Sequence, residues 1–165
     1  MPGVLIIGYG NRLRTDDAVG AEAADLLMEY YRNDPRVRVI SSHQLLPEMA
    51  RDVAEADFLL LLDADAGRIP GTITKKAITA CADAGSFTHD CTPAALLLAA
   101  QSLYGRGPEA VSLTLAAASF ELGMELSPIA RRRLPDFLEV ARHIVLVWES
   151  AAVEAAGLRD TTRNN

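Results

Sequence analysis

Residues 4–20, VLIIGYGNRLRTDDAVG, decide the fold of this chain, because an apolar run, a glycine-bracketed loop and the start of an amphipathic helix follow one another there. The run at 4–8 is typical of a buried parallel strand, and residues 16–32 carry apolar side chains at helical spacing. The loop places two adjacent carboxylates, Asp16 and Asp17, at the helix N-terminus. A loop built to hold phosphate avoids negative charge there, so these acids indicate a cation or a proton as the ligand.

The rest of the chain continues the alternation of strands and helices. Apolar runs predict further strands at residues 37–40, 58–62 and 110–117, an edge strand at 71–74, and helices at 47–56, 91–103 and 127 to about 155. Such alternation predicts one three-layer α/β sandwich, a twisted and mostly parallel sheet of about five strands with helices on both faces. We expect residues 1–156 to form this single domain and the polar tail 157–165 to be disordered.

Composition excludes several classes of function. The 165 residues include 16 basic and 22 acidic side chains, a net charge of −6, so the basic footprint of a nucleic-acid-binding protein is missing. The two cysteines form no CxxC pair, which argues against a disulfide framework or a structural zinc site. The first apolar run ends at Gly8 without a preceding basic region, and no run reaches about 18 residues. The sequence therefore predicts a cytoplasmic protein with no membrane partner.

Polar residues follow the predicted strands at the edge where parallel strands end. In parallel sheets the ligand site forms at these carboxyl ends, so we expect such residues to converge over one rim. They are Asn11, Asp16 and Asp17 after the first strand, His43 after the second, Asp63 and Asp65 after the third, and His89 and Asp90 before the helix at 91–103. Carboxylates with an imidazole suit a borderline divalent ion such as nickel, zinc or manganese, with coordination positions left open for a substrate.

Several of these residues also have a purely structural interpretation. Asp16 and Asp17 suit the capping of a helix, and the Asp63-Ala64-Asp65 sequence suits a turn. A loop histidine such as His89 is often only hydrogen-bonded. Cys91 lies two positions after His89, and a pair so close in sequence rarely has the geometry of a nucleophilic dyad, which predicts packing for Cys91.

The common nucleotide and hydrolase motifs are missing from the sequence. Gly8 and Gly10 begin a GxGxxG pattern, but Leu13 occupies the third glycine position. The sequence contains no GxxxxGK[ST], GxSxG or HExxH motif. A mononucleotide-binding enzyme of flavodoxin-like shape is disfavoured by the two acids where phosphate would lie.

Four segments resemble the nickel–iron hydrogenase maturation proteases. GYGNRLRTDDAVG at 8–20 resembles the family motif GxGNxLxxD[DE]xxG, and LLLLDADAG at 59–67, FTHDCTPAALLLA at 87–99 and SFELGMELSP at 119–128 follow in the family's order. The resemblance covers nearly the whole chain. HQLLPE at 43–48 is similar to the branch that serves soluble, cofactor-coupled hydrogenases.

The resemblance implies an endopeptidase that removes the C-terminal extension of a hydrogenase large-subunit precursor after nickel is installed, working as a monomer. The family's metal-contacting positions fall on Asp17, Asp63 and His89, which would recognise the substrate's nickel or a substituting divalent ion and act in catalysis. The first position is often glutamate in the family, so Asp17 is one methylene shorter, and Asp16 could share its role. Either the metal polarises the scissile carbonyl or a carboxylate activates water.

A second function uses the same three ligands. The chain could be a nickel-dependent chaperone or checkpoint that binds the loaded precursor without cutting it. Since the sequence offers no Ser or Cys triad, an acyl-enzyme route is disfavoured in either case.

Overall fold

A computed structural model describes residues 3–81 and 91–162, with side chains described as far as residue 154. Its strands are β1 (Val4–Tyr9), β2 (Val37–Ser42), β3 (Phe58–Asp65), β4 (Ile73–Ile78) and β5 (Glu109–Ala116). Its helices are α1 (Val19–Tyr30), α2 (Ala50–Glu55), α3 (Pro93–Tyr104) and α4 (Pro128–Thr162), and short 3₁₀ turns at Thr15–Ala18 and Pro47–Met49 lead into α1 and α2. The predicted α/β class is confirmed.

The five strands form one sheet in the order β2-β1-β3-β5-β4. The pairs β1–β2, β1–β3 and β3–β5 are parallel, whereas β4 runs antiparallel to β5 at the edge. The edge strand expected near residue 71 is thus confirmed, shifted toward Ile73–Ile78. It exposes Lys75 and Lys76, charges of the kind that prevent an edge strand from pairing with another chain.

Helices cover both faces of the sheet, as predicted, because side chains of the central strands alternate between two cores. On one face Ile6, Leu60 and Leu113 pack with α1 and with Phe137 of α4. On the other face, alternate positions of β1 and β3 pack with α2 and α3 in a second core that includes Leu5, Ile7, Leu59, Leu61, Val53 and Leu96.

Two glycines bring α1 into backbone contact with the sheet. A Cβ on Gly20 would stand 2.2 Å from the carbonyl oxygen of Leu62 and 2.5 Å from that of Tyr9, and a Cβ on Gly8 would stand 2.0 Å from the carbonyl oxygen of Gly20. Only glycine permits this approach. As a result, the loop at 10–18 lies directly over the carboxyl ends of β1 and β3.

Two boundaries differ from the sequence predictions. The helix expected from residue 16 begins instead with the 3₁₀ turn Thr15–Ala18, and α4 continues to Thr162 where a disordered tail was expected from residue 157. The run AAVEAA at 151–156 has high helix propensity, which favours continuation of the helix. The domain limit at residue 156 stays a prediction. No helix in the described residues is both long and apolar enough to span a membrane.

Candidate functional site

A cavity of about 290 Å³ lies at the carboxyl ends of the strands. Its walls come from the end of β1 and the loop after it, the end of β3, the loop after β2 and the start of α3; the residues are Tyr9, Gly10, Asp17, His43, Gln44, Leu45, Asp63, Cys91, Thr92 and Pro93. In the sheet, β2 lies on one side of β1 and β3 lies on the other, so the strand order reverses at β1. Sites in open α/β sheets form at such a reversal of strand order.

The last residue pair between β1 and β3 is Gly8 with Leu62. Asp63 is the next residue of β3, and its side chain lines the cavity. Its Oδ1 accepts the N–H of Ala64 at 2.8 Å, and the hydroxyl of Tyr9 donates to its carboxylate. The pKa of Asp63 is raised to about 7, chiefly by burial and also by the negative charges of Asp17 and Asp65, against the lowering effect of the two hydrogen bonds. Burial and the charge of Asp63 likewise raise the pKa of Tyr9.

The raised pKa of Asp63 predicts a titration near neutral pH in the metal-free protein. Below about pH 7 the side chain is the neutral acid, and above it the carboxylate that a divalent ion requires. We expect the carboxyl carbon resonance of Asp63 in ¹³C NMR to shift with a midpoint near pH 7 and to be missing in Asp63→Asn. A midpoint near pH 4 would show that the cavity does not desolvate the group.

Asp17 lies in the loop between β1 and α1 and is half-buried. Its Oδ2 accepts the N–H of Asn11 at 2.8 Å, while the side-chain oxygen of Asn11 accepts the N–H of Leu13 at 2.9 Å. Gly10, with φ of 151°, allows the loop to close, because a Cβ there would stand 1.7 Å from the carbonyl oxygen of Asp17. These contacts hold Asp17 at the wall of the cavity that Asp63 also lines.

Asp16 has a separate environment from its neighbour. It is fully buried and accepts four hydrogen bonds from the segment after β5: from the N–H groups of Ala118 (2.8 Å), Ser119 (3.3 Å) and Ser127 (2.7 Å), and from the Ser127 hydroxyl (2.7 Å). It does not line the cavity. The carboxylate is thus an anchor between two distant loops.

The capping interpretation of the acid pair is wrong. The N-cap residue of α1 is Ala18, and neither it nor Arg14 before the 3₁₀ turn makes a side-chain cap bond. Asp16 faces residues 118–127 and Asp17 faces Asn11, so neither carboxylate serves the first turn of α1. A side-chain cap does occur at α3, where the Thr92 hydroxyl oxygen accepts the N–H of Ala95 at 3.2 Å.

The two acids at the end of β3 also differ. Asp65 accepts the Thr114 hydroxyl and, at 2.7 Å, the N–H of Gly67, so it shapes the turn after the strand. Only Asp63 of the two lines the cavity. Asp65 therefore has the structural role of a turn residue, and Asp63 is the one of the two that remains a candidate metal ligand.

His43 and Cys91 both lie on the cavity wall. His43 is exposed there, at the rim where the sequence predicts it. Burial raises the pKa of the Cys91 thiol, and Glu48 adds to the effect, so the unreactive thiol form is favoured. This agrees with packing rather than nucleophilic catalysis for Cys91.

The structure brings Asp17 and Asp63 together, whereas His89 and Asp90 lie outside the described residues. Within 3–81 and 91–162, no group of three His, Cys, Asp or Glu side chains could hold a metal ion. Sequence reasoning missed Tyr9, although its place at the end of a buried strand after a glycine was a usable signal. Its hydroxyl interacts with the Asp63 carboxylate and lowers the pKa of that group.

A larger depression of about 840 Å³ lies at the opposite end of the sheet, between the end of α1, the start of β2 and α4. Two of its three acids are already paired, because Arg36 lies 3.0 Å from Asp34 and 2.8 Å from Glu149. The smaller cavity is therefore the better candidate, since its carboxylates repel one another and so favour a cation.

Comparison with known sequences gives a partial match. No family model matches the chain. Over 73 residues, 44% of this chain, it is 37% identical to the hydrogenase expression/formation protein HoxM of Azotobacter vinelandii. The same identity over 73 residues relates it to HupM of Azotobacter chroococcum mcd 1. In each case the matched segment covers 35% of the relative's length.

Comparison with solved structures covers most of the chain. The hydrogenase maturating endopeptidase HybD from E. coli aligns with a TM-score of 0.69 and 24% identity, over 89% of this chain and 93% of that one. The [NiFe] hydrogenase maturation protease HycI from Thermococcus kodakarensis KOD1 aligns with a TM-score of 0.70 and 22% identity, over 87% and 92%. At these identities the likeness shows that the chains share a fold.

Proposed function

We propose that this protein is an endopeptidase that removes the C-terminal extension of a nickel-loaded hydrogenase large-subunit precursor. The observation that carries the proposal is the pair of carboxylates, Asp17 and Asp63, in one cavity at the reversal of strand order. The fold shared with solved hydrogenase maturation endopeptidases and the partial match to hydrogenase expression/formation proteins support it. We further propose that it acts in the cytoplasm, as a monomer.

The substrate's nickel is the recognition element in this proposal. Asp17 and Asp63 would contribute carboxylate oxygens and His89 an imidazole nitrogen, a donor set suited to a borderline divalent ion. The charge of Asp17 adds to burial in raising the pKa of Asp63, and a divalent cation between the two would remove that repulsion. The cavity therefore favours a substrate that brings its own positive charge, which would distinguish loaded from empty precursor.

Two routes to peptide hydrolysis are compatible with this arrangement. The bound ion can polarise the scissile carbonyl, or one carboxylate can accept a proton from the attacking water. A base with a pKa near 7, as Asp63 has before metal binds, suits the second route. A cysteine acyl-enzyme is disfavoured because the pKa of the Cys91 thiol is raised rather than lowered.

Incubation of the purified chain with nickel-loaded and with apo precursor tests the function. We expect intact-mass spectrometry to show loss of a C-terminal peptide from the loaded precursor alone, because only that form presents the ion. Stable stoichiometric binding of the loaded precursor without shortening would instead support the chaperone or checkpoint. Equal cleavage of both forms would contradict recognition through nickel.

A further inference from the structure

Three large apolar side chains are exposed around one backbone pairing near the candidate site. Leu122, Met124 and Leu13 are 82%, 81% and 57% exposed. Arg14 and Gly123 form an isolated parallel bridge, in which the N–H of Gly123 donates to the carbonyl oxygen of Leu13 at 3.0 Å. Leu122 and Met124 flank that glycine. We refer to Leu13, Leu122 and Met124 as the apolar rim.

The backbone beneath the apolar rim is held in one arrangement. Thr15 adopts φ of 49°, an unfavourable conformation for a β-branched residue, and is held there by contacts at both ends. Its N–H donates to the carbonyl oxygen of Gly123 at 3.0 Å, and its hydroxyl donates to that of Glu121 at 2.8 Å. The buried carboxylate of Asp16 accepts hydrogen bonds from the N–H groups of Ser119 and Ser127 in the same segment. The exposed side chains thus project from a fixed surface.

The apolar rim and the cavity share one loop of the chain. One loop, residues 10–18, carries both Leu13 and Asp17, and Asn11 bonds to each of them. A polypeptide that presents a metal ion to Asp17 therefore comes near Leu13, which lies in the same hydrogen-bonded loop.

The charges next to the apolar rim balance one another, because two of them form ion pairs and the other two, Arg14 and Glu121, have opposite signs. Arg12 lies 2.7 Å from Asp25, and Glu125 lies 3.0 Å from Arg131. Charge attraction is thus a minor source of binding here, and an apolar partner is favoured. Three such side chains amount to a few hundred Å², whereas a stable dimer buries about 800 Å² on each partner. A second copy of this chain would need more surface than the rim supplies.

We propose that the apolar rim docks an apolar segment of the substrate polypeptide beside its metal-bearing region. The inference rests on the proposed function and adds a determinant of substrate affinity that lies outside the metal ligands. Since the rim lies beyond the reacting groups, it contributes to binding of the ground state and of the transition state alike. Its loss should raise KM and leave kcat unchanged.

The double variant Leu122→Ser/Met124→Ser tests the proposal with nickel-loaded precursor. We expect KM for processing and the Kd of the precursor to rise about tenfold or more, because two large side chains lose their burial on binding. The matched control is Leu103→Ser/Leu146→Ser, which alters side chains that are 71% and 59% exposed and do not line the cavity. All of the variants should keep the wild-type melting temperature, since each side chain is exposed.

The outcomes separate the two proposals. If the wild type processes the precursor and the rim variant has the same KM and Kd, the rim proposal is overturned and the function stands. If the wild type binds without cutting and only the rim variant binds weakly, the protease function fails and the rim proposal holds. If the wild type neither binds nor cuts, both are overturned. A wild-type dimer in sedimentation that the rim variant abolishes would identify a self-association surface and overturn the rim proposal.

Discussion

Replacing Asp63 with asparagine should abolish processing of the nickel-loaded precursor and leave the folded chain intact. The amide has nearly the same shape, and its oxygen can still accept the N–H of Ala64. It lacks the negative charge that a divalent ion or an attacking water requires. Mutation of a residue that supports a metal ligand lowers metal affinity or activity by up to about 100-fold. Because Asp63 is itself a proposed ligand, we expect processing to fall by more than this.

The stability of the Asp63→Asn variant has a predictable sign. Because the pKa of Asp63 is raised in the folded chain, ionisation of this group disfavours the folded state, fully so above about pH 7. The variant cannot ionise there, so its melting temperature at pH 8 should equal or exceed that of the wild type. A large loss of stability would mean that the processing defect reports misfolding.

Asp65→Asn is the matched control for Asp63→Asn. It makes the same chemical change two residues along the chain, at a carboxylate that bonds to Thr114 and Gly67 and does not line the cavity. We expect it to lower the melting temperature and to keep processing at temperatures where the chain is folded. Normal maturation by Asp63→Asn, or equal loss in both variants, would remove Asp63 from the site.

Replacing Asp16 with alanine should lower the free energy of unfolding by about 3–5 kcal/mol, because three N–H groups and a hydroxyl lose a shared buried acceptor. Urea unfolding, followed by circular dichroism, measures the change. Loss of the anchor also frees residues 118–127, so limited proteolysis should cut there first. We expect this large loss of stability because Asp16, the acceptor that is removed, is fully buried.

Two neighbouring variants calibrate the Asp16 result. Ser127→Ala removes the hydroxyl that donates to Asp16 and that accepts the N–H of Ala130 at the start of α4, so it should cost about 1–2 kcal/mol. Asp17→Ala removes a half-buried acceptor of a single bond, so it should change stability little while abolishing processing. If Asp16→Ala unfolded at the wild-type urea concentration, or if Asp17→Ala were the less stable of the two, the division of roles between these acids would be wrong.

Much of the architecture was predictable because it follows from local periodicity. The apolar run of β1, the helical spacing in α1 and the Thr92-Pro93 start of α3 each depend on residues a few positions apart. The approach of Asp17 and Asp63 was also predictable, since the carboxyl ends of parallel strands share one edge. The alternation of strands and helices in the sequence does not predict that β4 runs antiparallel to β5, which depends on packing. Nor does it predict that α4 continues to Thr162, which depends on local helix propensity.

The sequence by itself determined the α/β class, the motif order that resembles hydrogenase maturation proteases, and the candidate ligands Asp17, Asp63 and His89. Tertiary structure alone decided which of two adjacent acids faces the cavity, because the partners of Asp16 lie 102 to 111 residues away in the chain. It also placed Tyr9 beside Asp63 and brought Leu122 and Met124 near Leu13 through the bridge between Arg14 and Gly123. Spacing predicts which side chains share an edge or a face, whereas hydrogen bonds between distant segments depend on how helices and strands pack.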